Sequence, residues 1–118
     1  MARSKVWLER DGVVVMSEYR ARLLEAVAEH RSVAQAAEAL GLPYRTAWKK
    51  LREMEAAVGE ALLESDSGGA SGGQSSLTPL AVDLVASFRR VAGSVSEDVT
   101  ERFASEAAHF TVDPGGTG

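Results

Sequence analysis

The chain has 118 residues, 45% of them hydrophobic and 25% charged, the make-up of an ordinary globular domain with enough apolar material for one core. It contains no cysteine, which excludes disulfides, thiolate metal sites and a cysteine nucleophile. Its net charge is −4, its opening MARSKVWLERDG lacks an apolar segment behind the positive charges, and no apolar run approaches the roughly 20 residues of a membrane helix, so neither a leader nor a membrane span is expected and the cytoplasm is the expected location.

Residues 5–16 read as a β-hairpin. KVWLE and VVVM are runs of strand formers, and Asp11-Gly12 between them suits the two positive-φ positions of a type I′ turn. Trp7 is expected in the core. A first helix is predicted over 18–30, with Ser17 as N-cap and Tyr19, Leu23, Leu24 and Val27 on its apolar face. A second, short helix is predicted over 33–40. Ser32 caps it, Gln35 completes a capping box, and Val33, Ala36, Ala37 and Leu40 face inward. Gly41 ends it, because glycine takes the left-handed conformation at little cost.

Pro43 suits the first turn of a third helix over 43–58, with Ala47, Leu51, Met54 and Val58 as its apolar stripe and Gly59 as its stop. Leu62 and Leu63 suggest a strand, SGGASGG a flexible loop, and Leu77 the start of the return strand. Thr78-Pro79 supplies an N-cap and a first helical residue for a helix over 79–92, with Leu80, Leu84, Phe88 and Val91 as its apolar positions. Gly93 and Ser94 are expected to kink or break it. A further helical stretch to about residue 109 carries Val95, Val99 and Phe103, and the DPGGTG tail is expected to be disordered.

Two helices joined by a short turn containing glycine form a helix-turn-helix, here over 32–54, and the third helix is then the one that enters the major groove of DNA. At 100° per residue, Arg45, Lys49 and Arg52 lie opposite the Ala47/Leu51/Met54 stripe, flanked by Thr46 and Lys50. Four of the 13 cations therefore fall between positions 45 and 52. The local field on a docking face matters more to DNA than the net charge. Arg45, Thr46 and Lys49 are placed for base edges; Tyr44, Lys50 and Arg52 are placed for the backbone. The Tyr44 hydroxyl has two readings, a phosphate hydrogen bond or packing at the helix start. Trp48, at the edge of the stripe, reads as packing rather than as a base or sugar contact.

The stretch RLLEAVAEHRSVAQAAEALGLPYRTAWKKLREME, followed by GEALLES, SGGASGG and SLTPL, resembles the N-terminal DNA-binding domain of ModE-type molybdate-responsive regulators over about residues 5–91. The more specific pieces are Tyr44 with Ala47-Trp48, the glycine-rich insert and Leu77-Thr78. A more distant similarity to the LysR-type domain covers the helix-turn-helix alone. The resemblance implies a mainly α, winged helix-turn-helix fold with a small β component, an N-terminal hairpin and a long C-terminal helix that builds a homodimer. Three departures stand out. The molybdate-binding domains of the family are not expected here. Pro43 replaces a small polar residue and removes an N–H from the helix start. The wing segment ESDSGGASGGQSS has acids and no cation, so it should add little phosphate binding, and Asp66 near a phosphate would repel it.

His30 and His109 stand alone, which argues against a metal site; SGGASGG lacks the Gly-Lys-Ser/Thr of a phosphate loop; Glu97, Asp98, Glu101 and Glu106 read as a solvated helix face. No catalytic set, cofactor or metal is expected. The expected function is a homodimeric DNA-binding transcription regulator, with residues 1–92 as the DNA-binding domain, 93–110 as a dimerisation extension and 111–118 as a tail; the helices after Thr78, with Leu84, Phe88, Val91, Val95 and Val99, are expected to pair two chains. Duplex DNA, a second copy of the chain and a protein that supplies effector sensing are the expected partners. The alternative is a winged-helix protein-interaction module with weak or no DNA binding.

Overall fold

The computed structural model describes residues 2–66, with backbone alone at Asp66, and 74–110. The expectations for the SGGASGG loop, for the Asp66 side chain and for the tail lie outside the described residues. The elements follow in the order β1 (Trp7–Arg10), β2 (Val13–Ser17), α1 (Glu18–His30), α2 (Val33–Ala39), α3 (Tyr44–Val58), β3 (Leu63–Asp66), β4 (Gln74–Leu77) and α4 (Pro79–Ala107). This is a winged helix-turn-helix with a small hairpin in front and a long helix behind.

The first hairpin forms at the predicted turn. Asp11 has φ 53° and Gly12 φ 80°, the two left-handed positions that a type I′ turn needs. A bulge falls between Leu8 and Glu9. Side chains alternate across a strand. Leu8 and its partner Met16, which is fully buried, take the inward face, so Trp7 points outward. Trp7 is 50% exposed, contrary to its expected core position, and its indole N–H donates to Glu9 Oε1 at 2.8 Å.

The caps read from sequence at Ser17 and Ser32 are present. Ser17 Oγ accepts from the Arg20 N–H at 3.2 Å, and Ser32 Oγ accepts from the Gln35 N–H at 3.1 Å. Leu23, Leu24 and Val27 are fully buried, whereas Tyr19, in the first turn of α1, is 42% exposed and lies at the edge of the core. α2 ends at Ala39, one residue early, leaving Leu40 half-buried as its cap. Gly41 then turns the chain at φ 69°, and the Leu42 N–H returns to the Ala37 carbonyl at 2.8 Å. Pro43 is the N-cap of α3 and not its first residue: its backbone is extended, at ψ 144°, while its carbonyl accepts the first helical bond from the Ala47 N–H at 3.1 Å. Ala47, Leu51 and Met54 are fully buried and Val58 half-buried. Gly59 closes the helix at φ 84°.

In the wing, β3 and β4 pair antiparallel with Leu63 opposite Leu77. Leu77 therefore ends the return strand, which starts at Gln74. The Thr78 N–H donates to the Leu62 carbonyl at 3.0 Å and closes the base of the hairpin. The Ser75 N–H donates to the Arg31 carbonyl at 3.0 Å, which ties β4 to the α1–α2 corner, where Arg31 itself is left-handed at φ 56°.

Thr78 is buried; its hydroxyl donates to the Ala61 carbonyl at 2.9 Å and accepts from the Ala81 N–H at 3.2 Å. These bonds fix the rotation of α4, which buries Ala81, Val85 and Phe88. Leu80 and Val91 are exposed and Leu84 half-buried, so the inward face is turned from the one expected. α4 also runs unbroken through Gly93 and Ser94. A helical glycine costs about 1 kcal/mol against alanine but leaves the hydrogen-bond ladder intact, and among the described residues nothing beyond the neighbouring helix backbone lies within 4 Å of where a Cβ would stand on Gly93. Packing divides the described chain into two units, Trp7–Phe88 and residues 2–6 with 89–110. In the second unit Ala107 is buried and Arg102 Nε pairs with Asp98 Oδ2 at 2.7 Å, one turn apart.

Candidate nucleic-acid interface

The six residues expected at the interface all lie on α3, but they occupy three different aspects of it. Arg45 and Lys49 are exposed and stand opposite the buried stripe; neither makes an ion pair among the described residues. Thr46 is half-buried, and Lys50 is exposed on the flank nearer α1, where its ammonium lies 6.0 Å from the centre of the Tyr19 ring. Tyr44, Trp48 and Arg52, spaced by four, form a row on the opposite flank.

That row is in contact along its length. Tyr44 is 55% exposed and meets Trp48 edge to face, with ring centres 6.4 Å apart and planes at 89°. The Arg52 guanidinium lies over the Trp48 ring at 4.9 Å. Trp48 is half-buried, as a packing residue at the edge of the stripe would be. The Tyr44 ring packs on Trp48, as its packing reading expects, while the residue stays largely open to solvent.

Arg52 also donates from Nη1 to Glu55 Oε1 at 2.9 Å. The other carboxylate oxygen, Oε2, accepts from the Leu62 N–H at 2.9 Å and the Leu63 N–H at 3.3 Å. Partial burial pushes the Glu55 carboxyl up, but the Leu62 N–H, the Arg52 side chain, the Leu63 N–H and the Arg52 charge together outweigh it and hold the group below its ordinary range. The C-terminal end of α3 has a second tie. Arg10 Nη2 donates to the Ala57 and Val58 carbonyls at 2.8 and 3.0 Å, placing a cation where the helix dipole favours one. Neither Glu55 nor Arg10 was legible as a site residue. Arg52 and Glu55 have the i, i+3 spacing of a helical ion pair, which sequence can show. The reach of Glu55 to the wing and of Arg10 across 47 residues is set by tertiary packing.

An open cleft of about 450 Å³ lies beside this end of α3 and includes Arg10, Asp11, Arg20 and Glu53 in its lining. Its charges are mixed, and Arg10 and Arg20 already donate to backbone carbonyls, Arg20 to that of Val14 at 2.8 Å. Of these two surfaces, the N-terminal and outward part of α3 is the cationic one. No helix among the described residues is long and apolar enough to cross a membrane.

Comparison with known proteins places this arrangement. The sequence model of one family, described as bacterial regulatory helix-turn-helix protein, lysR family, matches residues 20–81. The chain is 34% identical over 90 residues to the molybdenum-pterin-binding protein MopA of Rhodobacter capsulatus, covering 76% of this chain and 34% of that protein. It is 41% identical over 69 residues to the molybdenum transport protein ModE of Herbaspirillum seropedicae, covering 58% and 26%. It is 33% identical over 86 residues to the ModE protein of Azotobacter vinelandii, covering 73% and 32%. The expected resemblance to ModE-type and LysR-type helix-turn-helix domains is thus found, and the chain spans about a quarter to a third of the length of these relatives.

Proposed function

The chain belongs to the bacterial regulatory helix-turn-helix proteins of the lysR family, and from that premise we propose that it is a DNA-binding transcription regulator, not an enzyme, that acts as a homodimer. We assign DNA binding to residues 1–92 and pairing of two chains to 93–110 with the adjoining part of α4. The observation that carries the reading is the exposed cationic face of α3, with Arg45 and Lys49 opposite a fully buried stripe. Arg45, Thr46 and Lys49 approach base edges, and Tyr44 and Lys50 approach phosphates. Phe88 is 1% exposed within the chain's own core, so the pairing surface runs along Leu84, Val91, Val95 and Val99 without it. Pairing of this kind sets two copies of α3 on half-sites about one helical turn apart, or a multiple of that. The names of the relatives point to molybdenum metabolism as the regulated process.

The test is selection from random duplex DNA at two salt concentrations, with Lys49→Ala/Lys50→Ala as control. An enriched palindrome that disappears in the control is the expected result. Weak binding without enrichment, insensitive to the control, overturns the reading in favour of a protein-interaction module.

A further inference from the structure

One side chain connects α3 to the wing. Glu55 uses both carboxylate oxygens at once, one for Arg52 and one for the Leu62 and Leu63 N–H groups at the base of β3. Resting on the reading of α3 as the recognition helix, we propose that Glu55 is a positioning residue of the DNA interface: it fixes the base of the wing against α3 and draws Arg52 into that joint over Trp48, so that Arg52 supports the helix–wing arrangement instead of contacting a phosphate.

Three features carry the assignment. Leu62 is fully buried, and its backbone is bonded at both ends, its N–H to Glu55 and its carbonyl to the Thr78 N–H. A shift of Glu55 is therefore passed directly to Leu63 and to its cross-strand partner Leu77. Second, the Glu55 side chain is only 14% exposed, while that of Arg52 is 68% exposed. The carboxylate is the enclosed member, and a charge removed from water in this way needs its donors. Third, Arg52 has two partners on its own helix, the Glu55 carboxylate and the Trp48 face. A guanidinium that stands over an indole ring and pairs with a neighbouring acid has its charge partly compensated before any phosphate arrives. Arg45 and Lys49 differ in this respect, having no ion pair among the described residues.

The experiment measures the salt dependence of binding to the selected duplex together with amide exchange at Leu62 and Leu63. Removing a phosphate-binding cation lowers the slope of log K against log salt by about 0.9 for each phosphate no longer neutralised. Lys50→Ala should show that change and Arg52→Ala should not. Glu55→Ala should speed exchange at Leu62 and Leu63 while the amides of Ala47 and Leu51 in α3 stay protected; general unfolding would expose both sets. Glu55→Gln, which keeps an acceptor but loses the charge, serves if the alanine variant does not fold, and should fall between it and the parent in exchange. A slope lowered by about 0.9 in Arg52→Ala makes Arg52 a phosphate contact and overturns the proposal. Unchanged exchange at Leu62 and Leu63 in both Glu55 variants overturns it as well. If the parent chain binds no duplex, the functional reading fails, yet the exchange measurement still decides the role of Glu55.

Discussion

The two halves of α3 are built differently. From Tyr44 to Lys50 the helix starts from a proline without a side-chain cap and presents Arg45, Lys49 and Lys50 to solvent. From Leu51 to Gly59 it is tied down: Leu51 and Met54 are fully buried, Glu55 reaches the wing, Arg10 caps the last carbonyls and Gly59 closes the end. A helix that must enter a groove needs one surface without internal partners, and rigidity must come from elsewhere. Here the anchored half supplies the rigidity, and the cations of the other half keep their charge available.

Four perturbations test that division, from the largest effect downward. Leu51→Ala removes a fully buried side chain at the junction of the halves and should cost about 2–5 kcal/mol in denaturant unfolding; a cost below about 1 kcal/mol would mean that the anchoring is elsewhere. Arg10→Ala removes two hydrogen bonds to helix carbonyls from an exposed side chain and should cost about 1 kcal/mol or less. It should also raise amide exchange around Gly59 without touching that of Ala47, and equal changes at both ends would break the comparison.

Acid titration gives the next effect. The Glu55 carboxyl is held below its ordinary value in the folded chain, so the unfolded state binds its proton first as pH falls. Its contribution is present in full above the ordinary glutamate range, about 4.3, and is lost as pH falls through the lower folded value. The difference in melting temperature between the parent chain and Glu55→Gln should accordingly be present at pH 7 and shrink below about pH 4; a difference constant with pH would deny the carboxylate its role. The smallest effect on stability is expected from Lys49→Ala, within about 0.5 kcal/mol, since the side chain is exposed and makes no ion pair among the described residues. The same substitution should weaken DNA binding, measured by titration of a labelled duplex, so that function and stability separate on this half of the helix.

Features set by residues within four positions of each other are legible in the sequence. The Asp11-Gly12 turn, the Ser17, Ser32 and Thr78 caps, the Gly41 and Gly59 stops and the Ala47/Leu51/Met54 stripe depend on local φ preferences, on i to i+3 side-chain reach and on the 3.6-residue period. The cationic face of α3 follows from the same period. The residues alone thus determined the element order, the helix-turn-helix and the position of Arg45 and Lys49 on its outer side.

Tertiary structure decided what depends on partners far along the chain. Trp7 faces outward because Leu8 and Met16 occupy the inner side of the hairpin. α4 turns Ala81, Val85 and Phe88 inward because Thr78 is bonded to Ala61 and Leu62 across the wing, although Leu80, Leu84, Phe88 and Val91 form a second apolar row at helical spacing. Glu55 and Arg10 acquire their roles through backbone groups that only folding brings to them. An apolar period leaves open which of two similar faces is buried, and a charge has no fixed partner until packing places a buried N–H or a helix end beside it.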